Sequence, residues 1–169
     1  MLAIGDRAPN FELPSDSAGT VDSATLAGRR HVLFFYPKDD TSGCTAEVCA
    51  LRDLHAEFAA LDVTVYGVSG DPVTSHQRFA KKYGLNFPLL ADPQRQLIEA
   101  YGVWVEKSLY GRKYFGTQRA TFAIGSDGRI EQVWPKVKVP GHIEEVLAYV
   151  RGEMPAKKRT RIAQTTQKI

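Results

Sequence analysis

The sequence of 169 residues contains only two cysteines, Cys44 and Cys49, and no long uninterrupted apolar run. Two cysteines are too few for the multiply bridged framework of a small secreted domain, so their interest is chemical rather than structural. The N-terminal segment has no basic stretch followed by an apolar one, and no other window is apolar enough for a membrane helix. We therefore expect a soluble cytoplasmic protein without a membrane partner.

Acidic residues are missing from the end of the chain. Five cations follow Pro155, whereas residues 1–154 carry a small net negative charge. We predict one globular domain over 1–154 and a basic, flexible tail over 155–169. The tail could contact nucleic-acid phosphates, but nothing in the domain reinforces it, and no nucleic-acid partner is expected.

Hydrophobic periodicity predicts an α/β fold. The runs 31–36 and 63–68 are apolar, β-branched and aromatic, which is typical of central strands buried on both faces. Between them, apolar residues recur at three- and four-residue steps from Val48 to Leu61, which predicts an amphipathic helix. The later elements are predicted as a helix over 73–83, a strand over 87–90, a helix over 93–101, strands over 120–124 and 129–134, and a helix over 143–150. The expected architecture is a sheet between helices, with a loop over 104–118.

The segment 35–49 carries the candidate chemistry. It runs from a strand end through a polar turn into a helix, so Cys44 is predicted to lie at the helix N-terminus. There the unpaired N–H groups and the positive end of the helix dipole favour the thiolate, which is the nucleophilic form. Thr41 and the N–H groups of Gly43 and Cys44 can donate hydrogen bonds, and Pro37 can shield the site. This combination suits displacement at a peroxide oxygen, in which negative charge grows on the departing oxygen.

A second thiol would complete such a reaction. Attack on a peroxide leaves a sulfenic acid, which condenses with a nearby thiol, and Cys49 is the only other cysteine. On a helix, positions 44 and 49 lie roughly 7.5 Å apart along the axis and about 140° around it. Since a disulfide needs Cα atoms within roughly 7 Å of each other, a bridge is predicted to require unwinding around 45–48.

These residues resemble the peroxiredoxins. The pattern Pro37-x-x-x-Thr41-x-x-Cys44 carries the resemblance, and the second cysteine five residues later is similar to that of peroxiredoxin Q, or bacterioferritin comigratory protein. The supporting stretches are 5–11, 101–104, 110–114 and 119–122.

The resemblance implies a thioredoxin-like fold with a mixed central sheet and flanking helices. It implies reduction of hydrogen peroxide and organic hydroperoxides, and recycling of a Cys44–Cys49 disulfide by thioredoxin or a similar dithiol protein. It also implies a monomer, and no metal, haem or flavin. Arg119 is implied to hold the thiolate and the peroxide, a role that suits its permanent charge and forked donors. Glu47 is a further candidate for a hydrogen bond within the site.

Other interpretations of the same residues stay open. The two cysteines could be inert buried thiols, Thr41 only a helix N-cap, and Arg119 an ordinary surface ion-pair partner. A thiol-disulfide oxidoreductase would share the fold class but ordinarily carries Cys-x-x-Cys, and the longer spacing here argues against it. The histidines are scattered, and no metal ligand is assigned among His31, His55, His76 and His142.

Overall fold

The computed structural model describes residues 1–153. The strands are β1 Glu12–Pro14, β2 Thr20–Asp22, β3 His31–Phe35, β4 Thr64–Ser69, β5 Leu89–Ala91, β6 Trp104–Leu109, β7 Arg112–Thr117, β8 Ala120–Ile124 and β9 Ile130–Trp134. The helices are α1 Ser42–Ala60, α2 Val73–Tyr83, α3 Gln96–Ala100 and α4 His142–Val150, and a short 3-10 helix covers Ser23–Leu26. The basic tail predicted for 155–169 lies outside the described residues, and the predicted boundary at residue 154 stays a prediction.

The central sheet has five strands in the order β5-β4-β3-β8-β9. β3 lies in the middle, parallel to β4 and antiparallel to β8. Parallel neighbours need a crossover connection, which α1 supplies between β3 and β4 and α2 supplies between β4 and β5. The prediction of an α/β fold with a mixed central sheet is confirmed.

Both faces of the sheet are buried because successive side chains of a strand point to opposite sides. Val32 and Phe34 of β3 pack in one apolar cluster with Leu51 of α1 and Val146 of α4. Leu33 and Phe35 pack in the other cluster, together with α3 and the N-terminal segment. This double burial explains the nearly continuous apolar run of β3.

The prediction of a loop over 104–118 is wrong, because β6 and β7 form an antiparallel hairpin there. Its two turn residues, Tyr110 and Gly111, have φ angles of 52° and 78°. Positive φ at both central residues is typical of the tight turn that matches strand twist. Tyrosine seldom adopts this conformation, so the sequence gives only a weak signal for the turn. The β1–β2 hairpin was not predicted either.

Two other predicted elements are shorter than expected. The strand predicted over 87–90 is β5, which begins after Pro88 because proline cannot donate a hydrogen bond to a neighbouring strand. The helix predicted over 93–101 is α3, which begins only at Gln96. The Asp92 carboxylate accepts hydrogen bonds from the backbone N–H groups of Gln96, Leu97 and Ile98, which fixes this later start. Among the helices of residues 1–153, none combines the length and apolarity needed to cross a bilayer.

Candidate active site

Cys44 is the third residue of α1, and its side chain is 0% exposed. The helix follows the C-terminal end of β3, as predicted, so Cys44 lies in its first turn. The backbone N–H groups of this turn have no partner within the helix, and their partial positive charge stabilises a negative sulfur. Cys44 therefore lies among unpaired backbone donors at the helix N-terminus.

Arg119 contacts the sulfur directly. Its Nη2 donates a hydrogen bond to Cys44 Sγ at 3.0 Å. The sheet explains this meeting, because β8 is antiparallel to β3 and its first residue, Ala120, pairs with Phe35 at the end of β3. The residue before β8 and the helix after β3 therefore meet at one edge of the sheet.

Glu47 fixes the other side of the guanidinium. Its Oε1 accepts a hydrogen bond from Arg119 Nη1 at 2.7 Å, and the residue is 1% exposed. Burial raises the pKa of Glu47, although the charge of Arg119 and its hydrogen bond oppose this shift. Burial alone would lower the pKa of Arg119, but Glu47 and Cys44 outweigh it, so that pKa is raised. Arg119 therefore stays charged and is held in one orientation.

Gly43 makes room for the guanidinium. A Cβ atom at this position would lie 3.2 Å from Arg119 Nη2. The absence of a side chain at Gly43 therefore leaves space for the arginine.

Thr41 is the N-cap residue of α1, but its side chain does not cap the helix. The Thr41 hydroxyl donates instead to the backbone oxygen of Lys38 at 2.9 Å. With its hydrogen engaged there, the hydroxyl oxygen is free to accept a hydrogen bond from the O–H of a hydroperoxide. This differs from the donor role expected from the sequence.

Cys49 lies on the same helix as Cys44 and is half-buried, and both thiols are free. The helix is continuous between them. The two sulfurs are therefore separated by intact helical structure.

Pro37 lines a cleft of about 410 Å³ whose other wall is the β6–β7 hairpin. Trp104, Lys107 and Phe115 of the hairpin also line this cleft.

Lys107 was not predicted as a site residue, because it belongs to no recognisable sequence motif. Its ammonium group donates to the backbone oxygen of Thr117 at 2.7 Å. Burial and the charge of Arg119 lower its pKa, whereas Cys44 acts in the opposite direction.

One group of side chains has the composition of a metal site. Ligand atoms of Asp39, Asp71 and His76 lie within 4.8 Å of one another. Protein hydrogen bonds already engage these atoms: His76 Nδ1 and Asp39 Oδ2 are 2.7 Å apart, and Asp71 Oδ2 accepts from Ser69 Oγ at 2.6 Å. The geometry is that of a hydrogen-bonded network.

The site thus joins a buried thiol at a helix N-terminus to a fixed guanidinium, which defines a thiol-based redox centre on an α/β scaffold. Residues 4–133 match the AhpC/TSA family, and the chain belongs to that family.

Curated relatives identify the branch of the family. The chain is 46% identical over 146 residues to a putative peroxiredoxin bcp of Coxiella burnetii, covering 86% of this chain and 97% of that protein. It is 44% identical over 146 residues to peroxiredoxin Bcp of Bacillus subtilis, covering 86% and 93%. The peroxiredoxin Q or Bcp resemblance drawn from the sequence is confirmed.

Solved structures agree with these relatives. The bacterioferritin comigratory protein of Xanthomonas campestris superposes with a TM-score of 0.80 at 37% identity, covering 84% of this chain and 90% of that chain. A mutant of Xylella fastidiosa PrxQ gives 0.85 at 37% identity, covering 90% and 97%. The fold is thioredoxin-like, and the protein is a peroxiredoxin, an oxidoreductase that reduces peroxides with a thiol.

Proposed function

We propose that Cys44 is the peroxidatic nucleophile. The observation that carries this assignment is the hydrogen bond from Arg119 to the buried Sγ. The thiolate attacks one oxygen of a hydroperoxide, the O–O bond breaks, and the departing oxygen takes a proton to leave as water or an alcohol. Arg119 stabilises the charge at sulfur and on the peroxide, Thr41 and Gly43 line the substrate position, and Pro37 shields it.

Cys49 is the resolving thiol of this proposal. Its sulfur attacks the Cys44 sulfenic acid, a disulfide forms and water leaves. Since intact helix separates the two thiols, the turn between them unwinds for the bridge to close. The support is that Cys49 is the only other cysteine of the chain.

The substrates in this proposal are hydrogen peroxide and organic hydroperoxides. The cleft between Pro37 and the hairpin contains Trp104, Phe115 and Ile98, which offer apolar surface beside the site. The Xanthomonas campestris relative is described as reducing alkyl peroxides. In this proposal, thioredoxin or a similar dithiol protein reduces the disulfide back to two thiols. The protein works as a monomer, because its resolving thiol is on the same chain. Its location in this proposal is the cytoplasm.

The test is oxidation of NADPH coupled through thioredoxin reductase and thioredoxin, driven by hydrogen peroxide. Wild type should turn over, whereas Cys44→Ser and Cys49→Ser should not. Cys49→Ser should still consume one equivalent of peroxide in the absence of reductant, because its nucleophile is intact. Turnover that survives Cys44→Ser would refute the assignment. Insulin reduction is the companion assay, and an efficient rate there would favour a general dithiol reductant.

A further inference from the structure

Residues 37–41, which belong to the segment between β3 and α1, contact the rest of the protein through Asp39, which is 8% exposed, and through Asp40. Oδ1 of Asp39 accepts a hydrogen bond from the Tyr36 hydroxyl at 2.7 Å. Its Oδ2 accepts from Ser75 Oγ at 2.8 Å and lies 2.7 Å from His76 Nδ1. Its backbone N–H also donates to Asp71 Oδ2 at 2.9 Å, so the Asp39 Oδ2 atom is the one that contacts α2, through Ser75 and His76.

The ring of His76 is 0% exposed and lies between two acceptors. Nδ1 faces the Asp39 carboxylate, and Nε2 is 2.9 Å from the backbone oxygen of Leu90. A backbone carbonyl oxygen and a carboxylate oxygen are both hydrogen-bond acceptors, and each ring nitrogen lies beside one of them. A carboxylate oxygen of Asp71 lies within 4.8 Å of the facing atoms of Asp39 and His76. The ring therefore links Asp39 to the backbone of β5.

We propose that His76 is a positioning residue for peroxide reduction at Cys44, a proposal that rests on the function proposed above. The ring holds Asp39, and through it the segment 37–41, in the arrangement that places Pro37 and Thr41 at the substrate position. His76 itself touches neither Cys44 nor the substrate.

The chain connectivity explains how this contact reaches the site. Asp39 is two residues from Pro37 and two from Thr41, and α1 begins at the next residue, Ser42. The neighbouring Asp40 has a φ of 58°, and its carboxylate accepts hydrogen bonds from Lys82 and Tyr83 of α2. Two consecutive residues of the segment are therefore fixed by one helix.

The energetics favour a single arrangement of the segment. Leaving a buried carboxylate oxygen without one of its hydrogen-bond partners costs free energy, so the carboxylate moves when the contact is lost. A displacement of about 1 Å at a reacting centre can cost as much as about 100-fold in rate. Loss of the His76–Asp39 contact should therefore slow peroxide reduction even though the thiol and Arg119 remain.

Two substitutions separate the two contacts of the ring. In His76→Asn, the amide nitrogen takes the place of Nδ1 and keeps the contact with Asp39. In His76→Gln, it takes the place of Nε2 and keeps the contact with Leu90. Both variants lose the ring, so each is the matched control of the other.

The experiment uses a Cys49→Ser background, in which Cys44 is the only thiol. Single-turnover oxidation by hydrogen peroxide should be slowed about tenfold or more by His76→Gln and less than about threefold by His76→Asn. Alkylation of Cys44 by iodoacetamide should be equal in both variants, because it needs the thiolate but not the arrangement that binds peroxide.

Equal peroxide rates in the two variants, or parallel losses of peroxide and iodoacetamide reactivity, would overturn the proposal. If neither variant folds, nitrogen-15 NMR of the wild-type histidine rings decides the question. Hydrogen on Nδ1 of His76, facing Asp39, supports the proposal, and a ring without hydrogen on Nδ1 overturns it. Peroxide consumption that persists after Cys44→Ser would instead refute the proposed function, so the two failures are distinguishable.

Discussion

At the scale of single residues, the site depends on how one guanidinium is surrounded. Arg119 donates to Glu47 Oε1 at 2.7 Å and to Cys44 Sγ at 3.0 Å. Glu47 Oε2 is buried and has no hydrogen-bond partner among residues 1–153. A buried oxygen without a hydrogen-bond partner lowers the free energy of unfolding. The role of Glu47 is therefore better explained by its effect on Arg119 than by a contribution to stability.

Gly43→Ala should separate activity from stability. The new Cβ would lie 3.2 Å from Arg119 Nη2, so the guanidinium must move by a few tenths of an ångström, which disturbs its contact with Cys44. We expect peroxide reduction to slow about tenfold, because the donor to sulfur is misplaced. The free energy of unfolding should stay equal or rise by up to about 1 kcal/mol, because alanine is the better helix former.

Single-turnover kinetics and urea denaturation measure the two effects. The matched control is Ser42→Ala, at the exposed position before Gly43. An unchanged rate in Gly43→Ala would show that the arginine tolerates the methyl group.

At the scale of elements, α1 is held on both sides of its cysteines. Before them, Asp40 accepts from Lys82 Nζ and from the Tyr83 hydroxyl, both at 2.9 Å. After them, Arg52 Nη1 donates to the backbone oxygen of Tyr83 at 2.7 Å. The end of α2 thus contacts both flanks of the segment that must unwind, which favours a local change rather than melting of the whole helix.

Disulfide formation should therefore raise amide hydrogen exchange in a restricted part of α1. Exchange at 45–48 should be faster by at least about tenfold in the disulfide form than in the dithiol form, because opened turns lose their protection. Amides after Arg52 should change little. Exchange followed by mass spectrometry measures this difference, with peroxide-treated Cys49→Ser as the control that cannot form the bridge. Equal exchange at 45–48 in the two forms would contradict the unwinding.

At the scale of the whole molecule, His142 links stability to pH. It begins α4 and is 4% exposed, and its Nε2 is 2.7 Å from Thr121 Oγ1 in β8. Burial lowers its pKa from 6.5 to about 4, with Glu145 opposing the shift and Arg119 adding to it. The native state therefore takes up this proton less readily than the unfolded chain, so stability is lost as pH falls from about 6.5 to about 4.

His142→Gln should remove this part of the acid sensitivity. Glutamine can keep a hydrogen bond to Thr121 but does not titrate. Between pH 7 and pH 4, the free energy of unfolding should decrease in wild type by up to about 3 kcal/mol more than in the variant. Urea denaturation across this pH range measures the free energy of unfolding of both proteins. The other titrating groups, including Glu47, contribute equally to both and therefore cancel in the difference. Parallel profiles of wild type and His142→Gln would refute the assignment.

Local sequence determined much of the fold and of the thiol's position. The apolar runs identified β3 and β4, and the periodicity around Val48 and Leu51 identified α1. Cys44 could be placed at a helix N-terminus because the signals for a strand, a turn and a helix are all local and lie within 35–49. The motif that carries the family resemblance is in the same stretch.

The tertiary structure decided which distant residues complete the site. Arg119 reaches Cys44 only because β8 runs antiparallel to β3 and begins opposite Phe35, and no local pattern contains that register. The Asp39–His76 contact depends in the same way on how α2 packs beside the end of β3. The β6–β7 hairpin was missed because its pairing is a contact between strands that Tyr110 and Gly111 signal only weakly. Sequence patterns report the local conformation of the chain, whereas this site is assembled from segments that meet only when the sheet has formed.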